Sequence, residues 1–284
     1  MQTVQTQLTS KPAKGAAKAA VLPEALDAPR HELRDQALGR IAYYASVPEQ
    51  APQARPLLLI HSINAAPSSY EVRPIFGQFK GQRSIYSPDL PGFGHSERGD
   101  RHYSPQLYAD TISALLERVI GEPADVVALS LSGEFAARAA LANPGLFASL
   151  TLISPTGFMH RSMPSPRIGR LAHGAITFPL WGQGLFDLVA SRASIRYFLN
   201  QSFTDAAPDD LIDYAYATAH QPGARHAPLT FLSTRLFTAD AREQLFARLT
   251  TLPVLAIADR DPYVTFEQLP ACAAWPNWRY ETLA

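Results

Sequence analysis

Asp125-Val-Val-Ala-Leu-Ser-Leu-Ser-Gly-Glu-Phe-Ala136 is the stretch of this sequence that decides the fold. An apolar run ends at Ser130, and a helix-forming run over residues 134–142 begins almost at once. A strand that turns directly into a helix leaves its turn residue exposed at the carboxyl edge of the sheet, and the turn needs small neighbours, here Ala128 and Ser132. By itself the pattern allows two interpretations, of which one has Ser130 as a nucleophile. The structural alternative is a plain turn in which Ser130 or Ser132 caps the helix.

Apolar runs that suit buried strands recur along the chain and alternate with helical patterns. They cover residues 56–61, 84–89, 125–130, 150–154 and 252–258. This alternation predicts a mostly parallel sheet with helical crossovers, and residues 31–35 and 40–46 are expected to form a leading antiparallel pair.

The alternation stops between residues 155 and 239, where scattered aromatic residues accompany helical stretches at 183–202, 209–219 and 227–237. We therefore predict four segments. They are a flexible tail over 1–29, the first part of an α/β core over 30–154, a helical cap over 155–239 and the second part of the core over 240–284.

The composition narrows the possible partners and cofactors. The formal net charge of +0 over 284 residues gives no reason to expect nucleic acid or an anionic membrane as a partner. The single cysteine, Cys272, excludes an intramolecular disulfide and fits a cytoplasmic protein. The sequence has no run long enough for a transmembrane helix and no metal-ligand spacing, so we expect no membrane partner, no cofactor and no metal. We further expect a monomer or homodimer.

Four segments together resemble the α/β-hydrolase superfamily. They are His61-Ser-Ile-Asn64, Asp89-Leu-Pro-Gly-Phe-Gly-His-Ser96, the serine turn at 128–132 and Pro253-Val-Leu-Ala-Ile-Ala-Asp-Arg-Asp-Pro262. The serine turn is similar to the family's nucleophile elbow, with Ala128 and Ser132 at the usual glycine positions. The resemblance implies an α/β-hydrolase fold: a mostly parallel central sheet, helices on both faces and an inserted helical cap.

The resemblance also implies roles for the catalytic residues. Ser130 would be the nucleophile and Asp261 the triad acid, with Asp259 as the alternative carboxylate. The oxyanion hole would use the backbone N–H of Leu131 and a second donor from Ile63 or Ser62. A serine nucleophile argues against dehalogenase or epoxide-hydrolase chemistry.

Four further side chains have weaker assignments. Asn64 is expected either to contact the substrate or to cap its turn. Phe158 is predicted to line an apolar substrate pocket beneath the cap. His61 and His95 are expected to order their loops rather than act as bases.

One expected component of the site is missing. The family's catalytic histidine follows the acid in chain order, but all eight histidines precede Asp261. The general base is therefore open: the sequence is a C-terminally truncated form, or a cap histidine substitutes, or the protein is not a hydrolase.

The sequence thus predicts a serine hydrolase that acts by acyl transfer on a small apolar carboxylic ester or a related carbonyl compound. The alternatives are a non-catalytic hydrolase-fold protein that binds a ligand under the cap, and a hydrolase of carbon–carbon bonds.

Overall fold

The computed structural model describes residues 21–49, 54–159, 166–178, 181–258 and 264–283. The strands are β1 Arg30–Asp35, β2 Gly39–Ser46, β3 Leu57–Ile60, β4 Ile85–Pro88, β5 Ala124–Leu129, β6 Phe147–Ile153, β7 Val254–Ala258 and β8 Trp278–Thr282. The helices are α1 Arg73–Phe79, α2 Pro105–Leu115, α3 Ser132–Ala142, α4 Pro166–Ile176, α5 Gly182–Val189, α6 Arg192–Ser202, α7 Asp209–Ala219, α8 His226–Leu232 and α9 Ala241–Gln244.

The strands form one sheet in the order β1-β2-β4-β3-β5-β6-β7-β8. β2 pairs antiparallel with both β1 and β4, and all the pairings from β4 to β8 are parallel. The predicted fold class and the leading antiparallel pair are therefore confirmed. Because β3, β5, β6 and β7 are parallel, their carboxyl ends meet at one edge of the sheet.

The two faces of the sheet are covered by different parts of the chain. In β3, Leu58 and Ile60 belong to the apolar cluster that includes α2 and α3. Leu57 and Leu59 point the other way, into a cluster with α1 and the segment that precedes β1. This alternation explains why β3 is apolar at every position.

The boundary of the predicted flexible tail is wrong. Leu22, Ala25 and Leu26 are buried, and the Ala25 N–H donates to the hydroxyl of Tyr44 at 2.9 Å. These residues pack in the same apolar cluster as Leu59 of β3 and Phe76 of α1. A segment that packs through three side chains has no helical or strand period, so the sequence pattern could not reveal it. Residues 1–20 lie outside the described part of the chain.

The insertion is helical, as predicted, with α4 to α8 between β6 and β7. The stretch predicted as one helix over 183–202 is two helices, α5 and α6. The break falls at Ser191, whose side chain accepts a hydrogen bond from the Ser194 N–H at 3.3 Å and caps α6. Among the described helices, none has the length and apolar character that a membrane crossing requires.

Candidate active site

Ser130 occupies a strained turn between β5 and α3. Its φ is +51°, in the left-handed region that non-glycine residues rarely adopt. Its N–H donates to the Ile153 carbonyl at 2.8 Å, and its own carbonyl accepts from the Gly133 N–H at 3.0 Å. A Cβ at Gly133 would lie 2.9 Å from Leu152 Cδ2, so the glycine lets α3 approach β6. These contacts hold the half-buried Ser130 side chain toward a cavity at the sheet edge.

Ser132 is a structural residue. It is fully buried, and its hydroxyl donates to the His61 carbonyl at 2.6 Å. Neither serine caps the helix, because the N-cap position is Leu131 and no side chain bonds there. The geometry therefore distinguishes the two serines, and only Ser130 lines the cavity.

His61 orders the loop that follows β3. Its ring is buried, and the Leu90 N–H donates to Nε2 at 2.9 Å. Nε2 is therefore an acceptor, and Nδ1 carries the proton that faces the Ser62 carbonyl at 2.6 Å. With both ring nitrogens engaged, this histidine has a structural role. His95 also has contacts that order its turn: its backbone N–H donates to Asp89 Oδ2 at 2.7 Å, and its ring Nε2 lies 2.9 Å from the Pro23 carbonyl oxygen.

Hydrogen bonds in the loop after β3 distinguish between the two candidates for the second oxyanion donor, Ser62 and Ile63. The Ser62 N–H donates to Glu71 Oε2 at 2.8 Å, which leaves it unavailable. Within the described residues, the N–H groups of Ile63 and Leu131 have no hydrogen-bond partner. Both residues line the cavity beside Ser130. The arrangement favours Ile63 over Ser62 as the partner of Leu131.

Asn64 is used within its own turn. Its amide nitrogen donates to Glu71 Oε1 at 2.8 Å and to Ser62 Oγ at 2.9 Å. Its amide oxygen accepts from the Ala66 N–H at 2.8 Å. Of the two roles predicted for Asn64, the hydrogen bonds support turn capping, although the residue also forms part of the cavity wall.

The predicted contact of Phe158 with the substrate is wrong. Phe158 is fully buried. Its ring stacks on Phe246 at 5.0 Å between centroids and meets Trp278 edge-on at 6.2 Å. The preceding Gly157, with a φ of +91°, turns the chain so that Gly157 lines the cavity while the next ring enters the core. Aromatic content alone could not distinguish these two directions.

Asp261 and its alternative Asp259 lie outside the described residues, so their roles stay predictions. β7 ends at Ala258, next to β6 and at the same sheet edge as Ser130.

The described histidines of the cap do not reach the cavity. The side chains of His173, His220 and His226 contact Thr230, Tyr216 and Asp100, respectively. Within the described residues, no histidine lines the cavity. His160 lies outside them.

The cavity lies between the sheet edge and the helical insertion between β6 and β7, which was predicted to be a cap, and has a volume of about 1230 Å³. Its cap side is mostly apolar, with Ile195, Leu199, Leu211, Phe231 and Phe237 among its lining residues. The polar residues Ser130, Asn64 and Glu134 lie on the sheet side. Such a cavity suits a molecule with an apolar body and one polar reacting group.

Glu134 is a cavity residue that sequence reasoning missed. It lies in the first turn of α3 and is fully buried. It accepts hydrogen bonds from the Thr156 hydroxyl and, at 2.8 Å, from the Thr238 N–H. Burial outweighs these bonds and raises the pKa of Glu134 from 4.5 to about 7. The available signal in the sequence was a lone glutamate directly before the apolar run Phe135-Ala-Ala137.

Among the described residues, no group of three or more potential metal ligands comes together. The polar side chains that line the cavity carry hydroxyl, amide, carboxyl and, from Arg242, guanidinium groups.

Comparisons with known proteins agree with this geometry. Residues 57–284 match the family model described as the alpha/beta hydrolase family. An esterase of Mycobacterium tuberculosis is 36% identical over 114 residues, which are 38% of this chain and 38% of that protein. The 2-hydroxymuconate semialdehyde hydrolase of a Pseudomonas species is 29% identical over 104 residues, which are 36% of this chain and 37% of that protein. The chain thus aligns with less than half the length of these curated relatives.

Solved structures share the fold across most of the chain. A probable hydrolytic enzyme from Pseudomonas aeruginosa superposes with a TM-score of 0.68 at 19% identity, covering 91% of this chain and 88% of that one. A meta-cleavage product hydrolase from Pseudomonas fluorescens superposes with a TM-score of 0.64 at 18% identity, covering 86% and 85%. The family model, the sheet order and the serine turn agree, and the chain belongs to the alpha/beta hydrolase family.

Proposed function

We propose that this protein is a serine hydrolase that cleaves carboxylic esters with an apolar acyl group, with Ser130 as the nucleophile. One observation carries the proposal: Ser130 lies in a strained strand-to-helix turn and lines one cavity with Leu131 and Ile63, whose N–H groups have no hydrogen-bond partner within the described residues. This is the arrangement that acyl transfer needs, because the nucleophile and the oxyanion donors must both contact one carbonyl.

The reaction has two steps. Ser130 Oγ attacks the ester carbonyl carbon, and the carbonyl oxygen takes up negative charge between the N–H groups of Leu131 and Ile63. The carbon–oxygen bond to the alcohol then breaks, and the proton from the serine leaves with the alcohol. Water attacks the acyl-serine in the same way, which releases the carboxylic acid and restores the hydroxyl.

Both steps require a base that accepts a proton. Within the described residues, no histidine lines the cavity to act as this base. We propose, as the resemblance implies, that Asp261 orients this base.

The apolar cap side of the cavity supports a substrate with an extended hydrocarbon portion. Ile195, Leu199 and Leu211 come from α6 and α7, and each presents an aliphatic side chain to the cavity. Each CH₂ buried there contributes about 0.8 kcal/mol to binding. We therefore expect kcat/KM to rise with acyl length up to the limit of the cavity.

Hydrolysis of a carbon–carbon bond is the second candidate. The match to 2-hydroxymuconate semialdehyde hydrolase supports it, and so does an acidic group, Glu134, in the cavity wall. A panel that pairs p-nitrophenyl esters with a vinylogous diketone distinguishes the two activities. Turnover of the diketone at a much higher kcat/KM than any ester would favour this second candidate.

The proposal is tested by labelling with a fluorophosphonate and by ester hydrolysis. Ser130→Ala should abolish labelling and lower kcat by at least about 10³-fold. Ser132→Ala is the matched control, because it removes a hydroxyl two residues away whose hydrogen bond is structural. It should keep the label and lose only stability, by about 1–3 kcal/mol.

Circular dichroism and thermal melting show whether each variant is folded. A folded Ser130→Ala variant that still labels and turns over would exclude Ser130 as the nucleophile. Absence of labelling and turnover in the folded wild-type chain would instead favour a protein that only binds a ligand.

A further inference from the structure

Glu134 contacts both ends of the cap. Thr156, whose hydroxyl donates to Oε1, follows β6 where the chain leaves the core. Thr238, whose N–H donates to Oε2 at 2.8 Å, precedes α9 where the chain returns. The carboxyl group of Glu134, on the helix that follows Ser130, therefore connects the two segments through which the cap is attached.

These two connections also pass close to each other and contain strained residues. Ser154 has a φ of +47° and Asp240 a φ of +48°. A Cβ on Gly157 would lie 2.9 Å from the Cβ of Ala241, so the outgoing and returning chains are in direct contact. A left-handed backbone is unfavourable for a non-glycine residue and persists where surrounding contacts hold it. Each of the two connections therefore contains one strained residue, Ser154 on the outgoing chain and Asp240 on the returning chain.

The positive charges near Glu134 offset only part of the cost of burying its carboxylate. Arg138, one turn further along α3, directs Nη2 to the Thr238 hydroxyl at 3.0 Å, and its buried Nε has no partner among the described residues. On the returning segment, Arg242 pairs with Glu243, and the exposed Asp240 adds a further negative charge. Burial therefore dominates and raises the pKa of Glu134 to about 7.

We propose that Glu134 is a positioning residue that holds the cap closed over the Ser130 cavity while its carboxyl is protonated, and that ionisation of this carboxyl loosens both cap connections. The link to catalysis rests on the function proposed above, but the effect on the cap does not. A neutral carboxyl places no charge in the core, whereas a carboxylate there is stabilised only by the Thr156 hydroxyl and the Thr238 N–H. Glu134 is fully buried in this closed arrangement, so a carboxylate would gain more hydration when the two connections separate.

The sign follows from proton linkage. The closed cap buries Glu134 and binds the proton tightly, whereas an open cap would leave the carboxyl near its ordinary pKa of 4.5. The closed state is therefore favoured at low pH, and the opening equilibrium rises as the pH increases through the pKa of the closed state. Between pH 5.5 and 8.5 the opening constant should rise by roughly 10- to 30-fold.

The test measures opening without turnover, in a Ser130→Ala background. Backbone hydrogen exchange of residues 154–157 and 238–241 is followed from pH 5.5 to 8.5 and corrected for the intrinsic chemical exchange rate. Wild-type Glu134 should show the predicted rise, and Glu134→Gln, which keeps the shape and both hydrogen bonds, should show none. Glu243→Gln on the returning segment is the control and should retain the wild-type pH dependence.

A second variant keeps the test valid if Glu134→Gln does not fold. Thr156→Val removes one hydrogen bond to the carboxylate, so the midpoint of the rise should move to higher pH. An unchanged pH dependence in Glu134→Gln, or an unmoved midpoint in Thr156→Val, would overturn the proposal. The hydrolase function is tested separately, by fluorophosphonate labelling of the matching proteins that retain Ser130. Either conclusion can therefore fail alone.

Discussion

Replacing Glu134 by glutamine should change the dependence of global stability on pH. Glu134 has its pKa raised from 4.5 to about 7 by burial. A group whose pKa is raised on folding contributes stability that is present below the unfolded pKa and lost as pH rises through the folded pKa. Since a tenfold change in proton affinity is worth about 1.4 kcal/mol, wild-type protein should lose roughly 2–3 kcal/mol between pH 5 and pH 8.5 through this group. Glutamine has no proton to lose.

The measurement is urea unfolding of wild type and Glu134→Gln at several pH values over that range. The stability difference between the two proteins, variant minus wild type, should grow by roughly 2–3 kcal/mol from pH 5 to pH 8.5. Titration of all other groups is shared by the two proteins and cancels in this difference. Glu117→Gln, at an exposed position just after α2, is the control and should give a difference that does not vary with pH. Parallel curves for Glu134→Gln and wild type would refute the reasoning.

Two further pairs of variants test the packing. Phe158→Ala should cost about 3–5 kcal/mol of unfolding free energy, because the ring is fully buried in the core. Phe203→Ala, at a cavity residue of the cap that is 37% exposed, should cost under about 1 kcal/mol but raise KM for long acyl esters; the reverse pattern would contradict the placement of both rings. Gly94→Ala should cost at least about 2 kcal/mol, since its φ is +50° and the new Cβ would lie 2.0 Å from Asp89 Cγ. Gly99→Ala, where no atom lies within 4 Å of the added Cβ, should stay within about 0.5 kcal/mol in the same denaturation assay.

The α/β core was predictable because its signals are local. In β3 and β5, apolar residues are continuous or alternate with the period of a strand, and the helical run after Ser130 follows without a linker. A strand that runs straight into a helix leaves few backbone conformations for the residue between them, and the +51° φ of Ser130 is one of them. The position of the candidate nucleophile follows from that local constraint.

The hydrogen-bond partners of the serines around Ser130 were not predictable. Ser132 lies two residues after Ser130, and its hydroxyl donates to the His61 carbonyl. Ser62 lies in the loop after β3, and its N–H donates to Glu71. Each of these partners comes from a different part of the chain or a different turn. A one-dimensional pattern carries no information about which donors are already occupied.

The sequence by itself therefore determined the order of strands and helices, the insertion between β6 and β7, and the turn that presents Ser130. Only the tertiary structure decided that Leu22 and Leu26 pack on the sheet, that Phe158 enters the core and that Glu134 joins both ends of the cap. The physical reason is the range of the interactions. Periodicity and turn conformation depend on neighbours along the chain, whereas burial, hydrogen-bond occupancy and the pKa of a carboxyl depend on segments that only folding brings together.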